Sequence, residues 1–172
     1  MCGARFILQT TNDVALALRK PRSGTRIKKN YIFEAEASNE NIDLQKQVVL
    51  QRALLESKDH FLKNGVISFN HLHRSDPSMI IGKPIEVRTE GKRTIVKGIL
   101  YHTSDMANEI VKHLKAGSTK IKASVGGSRL KPIHDIKTGT ETITSVIWND
   151  LALTLYPVNS TVSPVCLIKG IA

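Results

Sequence analysis

The chain has 172 residues, 41% hydrophobic and 23% charged, which suits one globular domain with short additions and excludes a wholly disordered polymer. No apolar run approaches the roughly 20 residues that a membrane-spanning helix needs, and the opening MCGARFILQTTND lacks the apolar core of a secretory signal, so an intracellular, soluble protein with no membrane partner is expected. The 25 Lys and Arg exceed the 15 Asp and Glu, for a net charge of +10; that suits nucleic acid, an anionic surface or an acidic protein partner, but the basic residues are spread out and no helix-turn-helix, zinc-finger or aromatic stacking pattern accompanies them, so specific nucleic-acid binding is not expected. Cys2 and Cys166 form no CxxC pair and fit a reducing compartment.

Residues 1–30 read as a basic N-terminal arm or first strand. Phe6, Ile7 and Leu8 are apolar, Lys20-Pro21-Arg22-Ser23-Gly24 breaks what precedes it, and Arg26, Lys28 and Lys29 make a small solvated cluster. Tyr31 to Ala37 predicts a strand ending in the turn-rich Ser38-Asn39-Glu40-Asn41. Leu50, Ala53, Leu54 and Phe61 share one face of a helix that Asn64-Gly65 stops. Val66 to His71 reads as a strand, and Ile80 to Leu100 as an antiparallel pair about Thr89-Glu90-Gly91-Lys92.

The second helix is clearer. Ser104 caps it, Ala107, Ile110, Val111 and Leu114 share a face, and Gly117 ends it. Asp105 and Glu109 lie early and Lys112 and Lys115 late, which complements the helix dipole. A strand follows from Lys120 to Val125, then one or two more between Thr142 and Tyr156, then a tail containing Pro157 and Pro164. Many strands with two good helices predict an α+β fold: a bent or closed, mostly antiparallel β-barrel flanked by helices.

Three segments carry chemistry. In Ser68-Phe69-Asn70-His71-Leu72-His73 a strand runs out into a polar loop, and a histidine there suits general-base work because imidazole titrates near neutrality; a plain polar loop is the simpler reading of this piece alone. His71 and His73 with Asp76 also hint at a metal, but the remaining His102, His113 and His134 sit in no paired or acidic ligand motif, and no metal or other cofactor is expected. In Ile121-Lys122-Ala123-Ser124-Val125-Gly126-Gly127, alternation turns Ile121, Ala123 and Val125 inward and Ser124 to the other face. Two glycines after it let backbone amides approach a ligand. It is not a GxSxG elbow, because Lys122 stands at the first glycine position. In Trp148 to Leu155, alternation turns Leu151, Leu153 and Leu155 inward and leaves Asp150 on the opposite face, where an acid can orient an imidazole or simply pair with a lysine.

Taken in order, these segments resemble the capsid maturation (prohead) proteases of tailed bacteriophages, which are related in fold to the herpesvirus assembly proteases. The matching pieces are Asp43 with Val48-Val49, Asn70-His71, Ile81-Gly82, the helix before Gly117, Ser124-Val125-Gly126, Asp150-Leu151-Ala152-Leu153 and Pro157-Val158-Asn159, spanning roughly residues 31 to 165. The resemblance implies a catalytic domain at 31–165 and a C-terminal tail at 166–172. It implies Ser124 as nucleophile, His71 as base with His73 in reserve, and Asp150 where many members have Glu, so that either a triad or a Ser124–His71 dyad results. In the mechanism that follows from these roles, amides of Val125, Gly126 and Gly127 are the candidates for the oxyanion hole, and Arg129 is a candidate to assist that charge directly or through water. Scaffold and major capsid proteins are the implied substrates, cleaved along with the enzyme itself inside a procapsid in the host cytoplasm by a homodimer or larger assembly. A non-enzymatic capsid- or scaffold-associated protein and a basic nucleic-acid-binding domain are the competing readings.

Overall fold

The apolar stretches of the chain pair into two sheets. The structure, a computed structural model, describes residues 30–168; the expectations for Phe6-Ile7-Leu8 and for the cluster at Arg26, Lys28 and Lys29 lie outside the described residues. The larger sheet has seven strands: β1 (Tyr31–Asn39), β3 (Val66–Phe69), β4 (Ile80–Glu90), β5 (Arg93–Leu100), β6 (Lys122–Arg129), β9 (Val146–Thr154) and β10 (Cys166–Ile168), in the order β10-β1-β5-β4-β3-β9-β6. The smaller one sets β2 (Gln47–Val49), β8 (Thr140–Ile143) and β7 (Pro132–Asp135) side by side.

The fold is α+β and its sheet is bent, as expected, but the sheet is open rather than closed into a barrel, and mixed rather than antiparallel. Two pairings are parallel, β3 with β9 and β2 with β8. Parallel strands need a long crossover, and here the chain makes β4 to β8 and a helix before it returns to lie beside β3. Strand periodicity says which residues face inward and nothing about such a distant partner. The edges of the sheet meet at one isolated bridge, Lys122 to Pro164, next to a Val165 N–H bond to the Ile121 carbonyl at 2.9 Å. Cys166–Ile168, read from sequence as part of a tail, pairs antiparallel with β1.

The β4–β5 pair forms as predicted, turning at Gly91 with φ +57°, a conformation glycine adopts without penalty. The helix expected across Leu50 to Asn64 is instead two, α1 (Gln51–Glu56) and α2 (Lys58–Asn64). The break is at buried Ser57, whose Oγ accepts the backbone N–H of Trp148 at 2.9 Å. A buried strand amide thus finds its partner in a helix break. The last helix, α3 (Asp105–Lys115), begins as predicted with Ser104 Oγ accepting the Ala107 N–H at 3.2 Å. Gly117 follows its end at φ +83°.

The core runs under the large sheet through Phe33, Leu54, Ile67, Leu100, Leu151 and Leu153. Trp148 stacks on Phe61 with centroids 4.0 Å apart and donates from Nε1 to the Asp150 carbonyl at 2.9 Å. That pair fixes the start of β9 against α2 and is worth about 0.5–1.5 kcal/mol beyond its burial. Leu155, expected inward, is 49% exposed, because β9 ends at Thr154 and the alternation stops with it. Among the described residues no helix is long and apolar enough to cross a membrane.

Candidate active site

Strand β9 lies between β3 and β6, and this places the acid. Asp150 pairs with Val66 on one side and with Gly126 on the other, while Ser124 pairs with Ala152. Side chains two residues apart share a face, so Ser124, Gly126 and Asp150 project together. Ser124 and Asp150 are diagonal neighbours, a separation of about 7–8 Å on an antiparallel pair. An imidazole with a hydrogen bond at each ring nitrogen spans such a gap.

The imidazole comes from the end of β3. The strand's pairing to β9 finishes with the Asn70 N–H bonded to the Leu153 carbonyl at 3.2 Å. Asn70 and His71 then both take left-handed conformations, φ +51° and +59°, which fold the chain back over β9. Non-glycine residues there cost about 1–3 kcal/mol at the upper end, with Asn and His among the more tolerant. His71 Nδ1 lies 2.6 Å from Asp150 Oδ2. An ionised carboxylate only accepts, so the ring donates from Nδ1 and the neutral imidazole keeps its lone pair on Nε2. The carboxylate side chain is 3% exposed and the imidazole 38%: a buried acid orients a ring that solvent and ligands reach.

His71 and Ser124 line one cavity of about 340 Å³, together with Val125, Gly126, Gly127, Arg129 and Trp148. The residues expected as nucleophile, base and oxyanion donors are therefore at this cavity, Asp150 stands directly behind it, and the reserve base His73 does not line it. Among the described residues no hydrogen bond joins the His71 ring to Ser124 Oγ. Ser124 is itself buried, 5% exposed, so what exposure it has is into the cavity.

The two glycines have steric reasons of their own. A Cβ on Gly126 would stand 2.9 Å from both Asp150 Oδ2 and His71 Nδ1, and one on Gly127 would stand 2.3 Å from the Ile147 carbonyl oxygen. Gly126 thus leaves room for the His71–Asp150 pair, and Gly127 lets β9 approach at the bulge between the two. Arg129 reaches the cavity while ion-paired to Glu141 at 2.6 Å, and the same Glu141 oxygen accepts from Gln47 Nε2 at 2.6 Å. Asp76, considered with His71 and His73 for a metal, spends its carboxylate on its own turn. It accepts from the Ser78 hydroxyl at 2.6 Å and the Ser78 amide at 2.9 Å, and these bonds hold its carboxyl below the usual range.

Sequence reasoning named Asp43 and Asn159 as pieces of the resemblance but gave them no role, and it missed the Asn39 network that holds the far wall. Asn39 Oδ1 accepts from Asn159 Nδ2 at 2.9 Å and from Thr161 Oγ1 at 3.1 Å, and Asn39 Nδ2 donates to buried Glu36 at 2.8 Å. Asp43 Oδ1 takes the N–H groups of Gln45 and Gln47 at 2.8 and 2.9 Å, a local turn that Asp followed by a left-handed Lys46 (φ +58°) makes. The Asn39 network joins residues far apart in sequence, and no local pattern marks it.

No family model matches the sequence, and no curated protein matches it. Among solved structures, the fold is similar to that of the bacteriophage T4 capsid assembly protease gp21, with a TM-score of 0.58 and 12% sequence identity over 75% of this chain and 85% of that one. At that identity the likeness bears on the fold.

Proposed function

We propose that the chain is a serine-type endopeptidase that cleaves scaffold and capsid proteins, and itself, as a phage procapsid matures in the host cytoplasm. The observation that carries this reading is the 2.6 Å His71–Asp150 bond beside a cavity that Ser124 shares, on a fold similar to that of a capsid assembly protease. With Nδ1 held by Asp150, His71 Nε2 takes the Ser124 proton as Oγ attacks the scissile carbonyl. The ring then returns that proton to the leaving amine, and water hydrolyses the acyl-enzyme by the same path reversed. Past its bridge at Lys122, β6 is the edge strand of its sheet, so amides on the outer side of its later residues have no ladder partner. Those among Val125, Gly126 and Gly127 are the oxyanion donors, each worth about 2.7–4 kcal/mol where such groups have been removed in other enzymes. Arg129 adds positive charge at the cavity. The absent Ser124–His71 bond fits a site that tightens on substrate or on assembly as a dimer or larger particle.

The test is incubation of the wild type and Ser124→Ala with the scaffold protein of the same virus, read by mass spectrometry of the fragments. Cleavage by the wild type alone supports the proposal. Cleavage by both proteins removes Ser124 from the mechanism, and cleavage by neither under assembly conditions favours a non-enzymatic capsid role.

A further inference from the structure

The turn that delivers His71 brings a second imidazole to the same carboxylate. His73 lies in a short 3-10 turn, Leu72–Arg74, with its side chain 16% exposed and Nδ1 3.5 Å from Asp150 Oδ2. Two buried polar atoms at this point have no partner among the described residues: His73 Nδ1 and Asp150 Oδ1. A carboxylate offers about four acceptor sites, and the bond from His71 occupies one. A buried polar atom without a partner is costly, and a small turn of the His73 ring or of the carboxylate would close the 3.5 Å gap from Nδ1 to Oδ2, which no hydrogen bond bridges in this structure.

We propose that His73 is a positioning residue for Asp150: its Nδ1–H donates to the carboxylate and fixes the plane in which Oδ2 meets His71. This rests on the protease reading above. The torsion that turns a carboxylate is broad, and a single bond from a ring that is itself 38% exposed does not fix it. A second donor from the buried side does. His73 does not line the cavity of Ser124, so it acts through Asp150 and touches no substrate. The paired left-handed residues Asn70 and His71 gain a purpose beyond His71 itself, since the reversed chain they create points positions 71 and 73 at one acid.

The test compares full-length His73→Ala, His73→Asn and the volume-conserving His73→Leu with the wild type. An Asn side-chain amide donates from nearly the place of Nδ1, whereas Ala and Leu donate nothing. Two readouts are taken: the rate at which a fluorophosphonate labels Ser124, and the far-downfield proton NMR signal of the His71 Nδ1–H. Labelling in His73→Ala and His73→Leu is expected to slow about tenfold or more, with His73→Asn recovering most of the rate. The His71 signal is expected to broaden in the first two and return in the third. Wild-type labelling and an unchanged signal in the folded Ala or Leu variant would overturn the proposal, as would an Asn variant no better than Leu at equal melting temperature. Failure of the wild type itself to label would count against the protease reading alone. The NMR comparison then still decides whether His73 holds Asp150.

Discussion

Gly126→Ala isolates the space in which the acid and base meet. Gly126 is not in a left-handed conformation, so alanine brings no backbone penalty and the perturbation is one methyl group. That methyl would sit 2.9 Å from Asp150 Oδ2 and His71 Nδ1 and 3.1 Å from His71 Cε1, where ordinary contact starts at 3.4 Å. The pair must therefore open by about half an ångström. Asp150, 3% exposed, has nowhere to go, while His71, 38% exposed, can swing outward. The 2.6 Å bond is what gives way. Misplacement of a base on this scale costs up to about 10²-fold in rate, and relief toward solvent keeps the stability cost near the low end of the ~1–3 kcal/mol of overpacking. The measurement is kcat and KM on scaffold cleavage, with a thermal melt alongside: kcat should fall about 30- to 100-fold with KM little moved. Gly91→Ala is the control, since its Cβ meets nothing but its φ is +57°, so it should lose about 1 kcal/mol and keep its kcat. A Gly126→Ala enzyme with wild-type kcat and an intact His71 signal would refute the steric argument. So would a loss of activity no larger than its unfolded fraction.

Asp150→Asn should leave melting nearly unchanged and lower kcat by about 10³–10⁴-fold, as an amide no longer holds the imidazole in its useful tautomer; activity within about tenfold of wild type would instead favour a Ser124–His71 dyad. Ser57→Ala strands the Trp148 N–H and should lower unfolding free energy by about 1–3 kcal/mol in urea melts, and no loss would mean that α1 and α2 break for another reason. Asn39→Ala removes the acceptor shared by Asn159 and Thr161 at the far wall. It should raise KM about fivefold with kcat within twofold, and a kcat effect instead would place that network closer to the chemistry.

The parts of the fold legible in the sequence are those settled within a few residues. Ser104 and Gly117 bound α3 because capping is local, and Gly91 closes β4 onto β5 for the same reason. The continuous helix across Leu50 to Asn64 was the natural reading of a periodic apolar face. What divides it at Ser57 is a hydrogen bond to a strand 91 residues away. Of the small β2-β8-β7 sheet, only the end of β8 falls in a stretch read as strand, from Thr142: β7 is fully exposed and carries no alternation, and β2 has three half-buried residues whose partner, β8, lies far along the chain.

The site divides along the same line. Ser124 and Asp150 could be assigned to one kind of face from period two within their own strands, because a strand residue's side is fixed by its neighbours. Their mutual placement required knowing that β6 and β9 pair with Gly126 opposite Asp150, and the base required a parallel partner for β3 together with two left-handed residues after it. Each glycine after Ser124 was legible as a residue type but not by cause. Read locally, Gly126 and Gly127 free the backbone for a ligand; in the folded chain one makes room for a histidine and an acid, and the other for a carbonyl. A glycine whose missing side chain is required by groups 24 and 55 residues away bears on the alignment of the pair and not on the flexibility of its loop, which is why substitution there should register in kcat before it registers in melting.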